Sequence, residues 1–400
     1  MGHDKLTREP AGALLRPASA RCDIAPFMVM DVMSSAARRE AAGGDVIHME
    51  VGQPGTAAPK AAITRLGEVL HVEPLGYTLA LGTPELRARI ARSYQDLYGL
   101  DIAPERVVVT NGSSAAFVLA FLALFDAGEK VMLPSPGYPC YRHILGALGQ
   151  QPIIVATDAA GRWMPTTAQI EAADESHDLA GLLIASPNNP TGTMLTRQRM
   201  GEIVSLCERR KIWFISDEIY HGLVYDEPAQ SALAYSDNVI VINSFSKYFS
   251  MTGWRVGWMV VPEALLRVIE RLAQNLYIAA PTASQVAALA AFDGIEELEA
   301  NRQVYEANRA LLLRELPKAG LGRIVPADGA FYLYVDVSAI TEDSLAFAAR
   351  MLEETGVAAT PGLDFDEARG RQFIRFSYAG TTRDMAEAAK RLQAWLRPGR

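Results

Sequence analysis

The chain has 400 residues, half of them apolar, with 38 basic against 46 acidic side chains and a net charge of -8. Such a chain can bury a substantial core, and its acidic balance argues against grip on nucleic acid through a basic field. The three cysteines are widely separated and the six histidines show no metal-ligand spacing, so neither a disulfide framework nor a metal site is expected.

The first stretch, MGHDKLTREPAGALLRP, mixes charges and prolines without an apolar run of signal-peptide type, and reads as a loose leader. The longest apolar run, Ala115 to Phe125, falls short of the ~18 residues of a spanning helix. A cytoplasmic protein without membrane attachment is expected. From about residue 105 to 243 the sequence alternates between two periods. Short continuous apolar runs occur at 107–110, 130–133, 152–156, 181–185, 213–216 and 239–243, as in strands covered on both faces. Between them lie helical patterns such as Met200, Ile203, Val204 and Cys207, and a capping box at Thr166 and Gln169. Strands separated by helices predict an α/β unit of three layers around a mostly parallel, mixed sheet.

The C-terminal part has fewer strands. A long helix is expected near 295–316, then strands at 331–337 and 372–378. Each strand precedes a helix, one with Leu345, Ala348, Ala349 and Leu352 on one face, the other with Met385, Ala388, Ala389 and Leu392. This predicts a smaller α+β domain that includes the N-terminal segment. The expected divisions are 1–45, 46–290 and 291–400.

The chemistry concentrates after one predicted strand, in NSFSKYFSMTGWRVGW. Lys247 there is flanked by serines and aromatics, and Arg255 follows eight positions later. A lone lysine is ordinarily a solvated charge. Just beyond a core strand, in a loop rich in aromatics, it becomes a candidate for Schiff-base chemistry, because desolvation makes the neutral amine available. The turn NGSS at 111–114 opens a predicted helix whose free N–H groups favour phosphate, although for one such serine alone simple capping is the better explanation. The G-x-G-x-x-G and G-x₄-G-K-[ST] patterns are both missing from the chain.

Seven motifs occur in order: GYTLALGTPELR (76–87), NGSS (111–114), PSPGYP (134–139), SPNNPTG (186–192), SDEIYHG (216–222), SFSKYFSMTGWRVG (244–257) and IRFSY (374–378). With them the chain, from about Ile47 to its end, resembles the class I and II aminotransferases, pyridoxal-phosphate enzymes of fold type I with the aspartate-aminotransferase fold. The resemblance implies that Lys247 bonds to the cofactor aldehyde and later carries the substrate proton. It implies that Asp217 pairs with the pyridine nitrogen, that Asn189 and Tyr220 meet the phenolic oxygen, and that Tyr138 covers the ring. Gly112, Ser113, Ser114, Ser244 and Arg255 are implied at the phosphate, with Tyr77 reaching that of a neighbouring subunit in a homodimer. Arg375, Gly52 and Asn189 are implied around the substrate α-carboxylate.

The implied reaction is ping-pong transfer of an amino group from an L-amino acid to a 2-oxo acid. Aspartate, glutamate or an aromatic amino acid are candidate donors, and an aliphatic one stays open. A β-lyase or synthase of the same fold, or a cofactor-binding regulatory domain without turnover, are the alternatives.

Overall fold

The computed structural model describes Arg16 and residues 18–397. Its strands are, in chain order, β1 Ile47–His48, β2 Val107–Thr110, β3 Lys130–Ser135, β4 Gln151–Ala156, β5 Gly181–Ala185, β6 Trp213–Asp217, β7 Ile240–Ser244, β8 Gly257–Val260, β9 Tyr332–Asp336, β10 Val357–Ala358, β11 Thr360–Pro361 and β12 Phe373–Ser377. Seven of them form a sheet in the order β2-β8-β7-β6-β5-β3-β4. All of its neighbours run parallel except β8, which is antiparallel to β2 and β7.

Both faces of this sheet are covered, and the strand sequences show why. Along β5, Leu182 and Ile184 enter one apolar cluster while Leu183 and Ala185 enter the cluster on the opposite face. The same alternation holds in β2, where Val107 and Val109 oppose Val108. Each such buried Leu, Ile or Val stabilises the fold by about 1.5–3 kcal/mol relative to exposure. The predicted capping box is present at Thr166 and Gln169, and Met200, Ile203, Val204 and Cys207 are buried on one face of the helix Arg197–Arg210.

β8 lies in the segment GWMV, which the sequence reading leaves without a strand. Its antiparallel return from β7 needs no crossover helix, so only a loop joins the two strands. That loop carries both Lys247 and Arg255.

The smaller C-terminal α+β region has an antiparallel sheet β11-β12-β9 and the parallel pair β1 and β10. Helices Ile295–Glu315, Ser344–Thr355 and Thr382–Trp395 accompany it, and the last buries Met385, Ala388, Ala389 and Leu392 as expected. The expected face of Ser344–Thr355 is rotated. Ser344, Phe347, Ala348, Met351 and Leu352 are buried, whereas Leu345 and Ala349 are exposed. The Asp343 carboxylate caps the N–H groups of Leu345 and Ala346, and Ser344 donates to the Gly370 carbonyl at 2.8 Å, fixing this orientation. The helix Met28–Ala41 packs here too, with Ala36 against Leu352 and Ala358. Among the described residues no helix is long and apolar enough to cross a membrane, and no cluster of His, Cys, Asp or Glu could hold a metal ion.

Candidate active site

The seven-stranded sheet directs the C-terminal ends of all its strands but β8 to one edge, the usual position for a ligand in an open α/β sheet. Asp217 ends β6, Lys247 follows β7, Asn189 follows β5, Tyr138 follows β3, and Gly112 follows β2. A cleft of about 570 Å³ opens there. Its lining brings together Gly52, Ser113, Ser114, Tyr138, Asn189, Asp217, Tyr220, Lys247, Arg255 and Arg375. These residues span most of the chain.

The Lys247 amine donates to the Gly52 carbonyl. Burial first, then the positive charge of Arg375, outweigh the opposing pull of Asp217 and lower its pKa from the usual lysine range to about 8. The neutral amine is therefore accessible near neutral pH. Gly52 has to be glycine for a second reason, since a Cβ there would lie 2.1 Å from the Tyr332 hydroxyl. Tyr332 cannot retreat freely, because its hydroxyl shares a 2.7 Å hydrogen bond with that of Tyr220.

Asp217 is 2% exposed. Burial raises its pKa, and although hydrogen bonds from the Tyr141 hydroxyl and, at 3.0 Å, from the Ile219 N–H favour the anion, the carboxyl stands at about 6. Tyr141, absent from the sequence reading, stands three residues after Tyr138 in the helix Cys140–Leu148. Tyr138 packs edge-on against it, with centroids 5.3 Å apart.

At the far end of the cleft begins the helix Gly112–Leu124, with Ser113 and Ser114 in its first turn, where backbone N–H groups have no partner within the helix. Gly112 has φ +73°, and a Cβ on it would lie 2.4 Å from an Arg255 nitrogen. The helix end and the guanidinium thus share a space only glycine permits. Arg255 donates to the Thr252 carbonyl at 2.9 Å, and no carboxylate pairs with it among the described residues. Ser244 is buried and off the lining. Its hydroxyl donates to the Val256 carbonyl at 3.1 Å and shares a 2.8 Å hydrogen bond with the Ser246 hydroxyl, leaving Ser246 as the serine that lines the cleft. Tyr77 is 85% exposed and stands outside the cleft of its own chain.

Arg375, 2% exposed, sits between the rings of Tyr332 and Phe365, at 4.4 and 4.7 Å from their centroids. It donates to Asn189 Oδ1 at 2.9 Å, to the Glu50 carbonyl at 2.5 Å and to Thr360 Oγ1 at 3.2 Å. These hydrogen-bond partners are all neutral acceptors, so its charge is available to an anion.

The remaining wall is apolar and was not anticipated. Phe27, Val29, Met30 and Met33 reach the cleft from the start of the helix Met28–Ala41. Phe27 meets the Tyr138 ring edge-on at 6.0 Å. A short run of amphipathic helix near a chain terminus carries no chemistry-bearing residue, so the sequence offered no signal for this role.

A buried carboxylate, a cool-running amine, an anion cradle at a helix end and a buried guanidinium fit pyridoxal phosphate joined to an amino acid. The residues 44–392 match the model of the class I and II aminotransferases. The chain is 46% identical to a valine–pyruvate aminotransferase of Mycobacterium tuberculosis, over 94% of this chain and 97% of that protein. An aspartate aminotransferase of Thermotoga maritima is 32% identical, over 93% and 97% of the two chains. A crystal structure of an aminotransferase from Mycobacterium tuberculosis superposes with a TM-score of 0.93 at 45% identity, covering 95% of this chain and 99% of that one. With likeness along nearly its whole length, the chain belongs to the class I and II aminotransferases, enzymes that depend on pyridoxal 5'-phosphate.

Proposed function

We propose that this aminotransferase takes the amino group from an aliphatic L-amino acid, with valine as the first donor to test, and passes it to a 2-oxo acid by ping-pong transfer. The observation that carries the side-chain reading is the wall of Phe27, Val29, Met30 and Met33, in the same cleft as the Arg375 guanidinium. The valine–pyruvate specificity named for the relative from Mycobacterium tuberculosis supports it.

In this reading Arg375, with Asn189 and Gly52 beside it, holds the substrate α-carboxylate. Lys247 would hold the cofactor aldehyde until the substrate amine displaces it there, and its freed amine would then carry the proton that leaves the substrate Cα. Its lowered pKa suits that task. When bound, pyridoxal phosphate supplies a ring that accepts the electron pair left by that proton. Asp217 would pair with the ring nitrogen and favour its protonated form, while the Tyr141 hydroxyl keeps the carboxylate oriented. Asn189 and Tyr220 would hold the phenolic oxygen, and Tyr138 would supply an aromatic face for the ring. Gly112, Ser113, Ser114, Arg255 and Ser246 serve the phosphate, and Ser244, buried behind them, orients the Ser246 hydroxyl.

We also propose a cytoplasmic homodimer in which Tyr77 completes the phosphate site of a second copy. The segment around Tyr77 is anchored by Gln285, which donates to Thr78 at 2.9 Å, and it exposes Val72, Tyr77 and Leu79. Exposed apolar side chains in such number mark a surface that another protein covers. The divisions 1–45, 46–290 and 291–400 serve as a working domain plan, with β1 joining the smaller unit because it pairs with β10.

The test is a visible absorption scan of the cofactor-loaded protein with a panel of L-amino acids and no 2-oxo acid. Valine and its aliphatic neighbours are expected to shift the cofactor band, releasing one 2-oxo acid per site, ahead of aspartate. Ammonia or pyruvate release with a persistent band indicates lyase chemistry and overturns the transfer reading. Faster conversion by aspartate or phenylalanine overturns the aliphatic one.

A further inference from the structure

The helix Met28–Ala41, whose first two turns wall the cleft, begins without a cap of its own, since Phe27 offers no side-chain acceptor. The missing acceptor comes from the other end of the chain. The N–H groups of Met28 and Val29 donate to the two carboxylate oxygens of Asp364, at 3.0 and 3.1 Å. Asp364 is 2% exposed, and its negative charge also suits the positive end of the helix dipole.

The short turn that holds Asp364 touches two other parts of the site. Phe365 lays its ring against the Arg375 guanidinium, and its carbonyl accepts from the Gly137 N–H at 3.0 Å, next to Tyr138. The Asp364 carbonyl accepts from Arg142 at 3.0 Å, one residue after Tyr141. Carboxylate clamp, aromatic cover and apolar wall are therefore tied to one turn.

We propose that Asp364 is a positioning residue that fixes the apolar wall relative to Arg375, and thereby sets which substrate side chains are accepted. The two ends of the helix are held differently. Ala36 is packed into the smaller region and Glu40 bonds His48 at 3.1 Å, so the C-terminal end is secured independently. At the N-terminal end Met30 is 53% exposed, and the Asp364 carboxylate is the polar tie to the first turn. Releasing it lets the wall drift while the helix stays attached. A substrate whose side chain reaches the wall loses contact, and one with only a methyl group loses little.

The proposal rests on the aliphatic reading above, and it is tested on the full-length holoenzyme with two variants. Asp364→Ala removes both acceptors. Met28→Pro removes one donor, at the first helical position, where proline is well accommodated after the extended Phe27 backbone. Values of kcat/KM are compared for alanine, valine, leucine and aspartate with one fixed 2-oxo acid. Asp364→Ala is expected to lower the valine-to-alanine ratio by about ten-fold, the scale of a pocket contact of methylene size, with turnover on alanine kept within about three-fold. The visible cofactor band is expected to be unchanged. Met28→Pro shifts the ratio in the same direction by less, and decides the matter alone if Asp364→Ala does not fold. An unchanged ratio, or a parallel decline on every donor, reduces Asp364 to a stability role and overturns the proposal. A wild-type preference for aspartate breaks the aliphatic reading instead, a separate result, because the variants are judged against the wild-type profile whatever it is.

Discussion

The floor and the wall of the cleft are built on opposite principles. The floor consists of short turns at the ends of parallel strands together with the antiparallel strand β12, and its charged groups are tightly bonded: Asp217 to Tyr141, Lys247 to Gly52, Arg375 to Asn189 and Glu50. The wall is one helix, half-exposed, whose contributions are apolar and whose N-terminal end is held by a single carboxylate. A rigid sheet edge suits reacting groups that must stay oriented. A helix tied at separate points suits the choice of side chain, since it can be reset without disturbing the floor.

The largest expected effect comes from breaking the floor. Lys247→Ala is expected to lower turnover by about 10⁴-fold or more, the upper range for a positioned proton carrier. The measurement is single-turnover conversion of the loaded protein by valine, and near-normal rates would remove Lys247 from the chemistry.

Arg375→Lys tests whether the floor needs geometry as well as charge. It keeps the cation but loses the fork that spans Asn189 and Glu50, and a loss of about 10²-fold in kcat/KM for all α-amino acids is expected. Cofactor retention, read by absorbance, should hold. Equal losses across donors would separate this floor effect from any change in the wall.

The smallest effect concerns the tether at the wall's far end. His48 hydrogen-bonds Glu50 at 2.8 Å and, more weakly, Glu40, and these raise its pKa to about 9 against the opposing effect of burial. A raised folded-state pKa stabilises the fold below the ordinary histidine value of 6.5, and that stabilisation fades as pH climbs through about 9. His48→Gln should therefore cost thermal stability at pH 6 and little at pH 9.5, with Tm against pH as the measurement. Solvent screening of this half-exposed ring keeps the difference small. A Tm deficit independent of pH would show that the pairing is immaterial.

The same contrast explains what could be read in the sequence. Floor residues lie within a few positions of a strand end, so Lys247, Asp217 and Asn189 stand in short motifs where local order already carries their placement. Tyr141 escaped because its partner Asp217 is 76 residues away and only the fold joins them. Ser244 was recognised, yet its hydroxyl turns inward and Ser246 takes the cleft, a distinction of side-chain direction that spacing does not encode. β8 was hidden because a loop rich in recognisable residues masked the strand after it. The helix Ser344–Thr355 shows the limit of periodicity: Leu345 satisfies the apolar pattern, but the Asp343 cap and the Ser344 contact rotate it outward. Met30 and Met33 had no motif at all.

The unneutralised guanidinium of Arg375 has one more consequence. Its field is among the causes that depress the Lys247 amine. A carboxylate settling on Arg375 would cancel much of that field, so the amine would gain proton affinity as the anion arrives. By reciprocity, a protonated Lys247 would tighten the hold on the anion by the same factor. Occupancy of one group and protonation of the other then form a two-way thermodynamic link, and simple carboxylates such as acetate would titrate this lysine without being substrates.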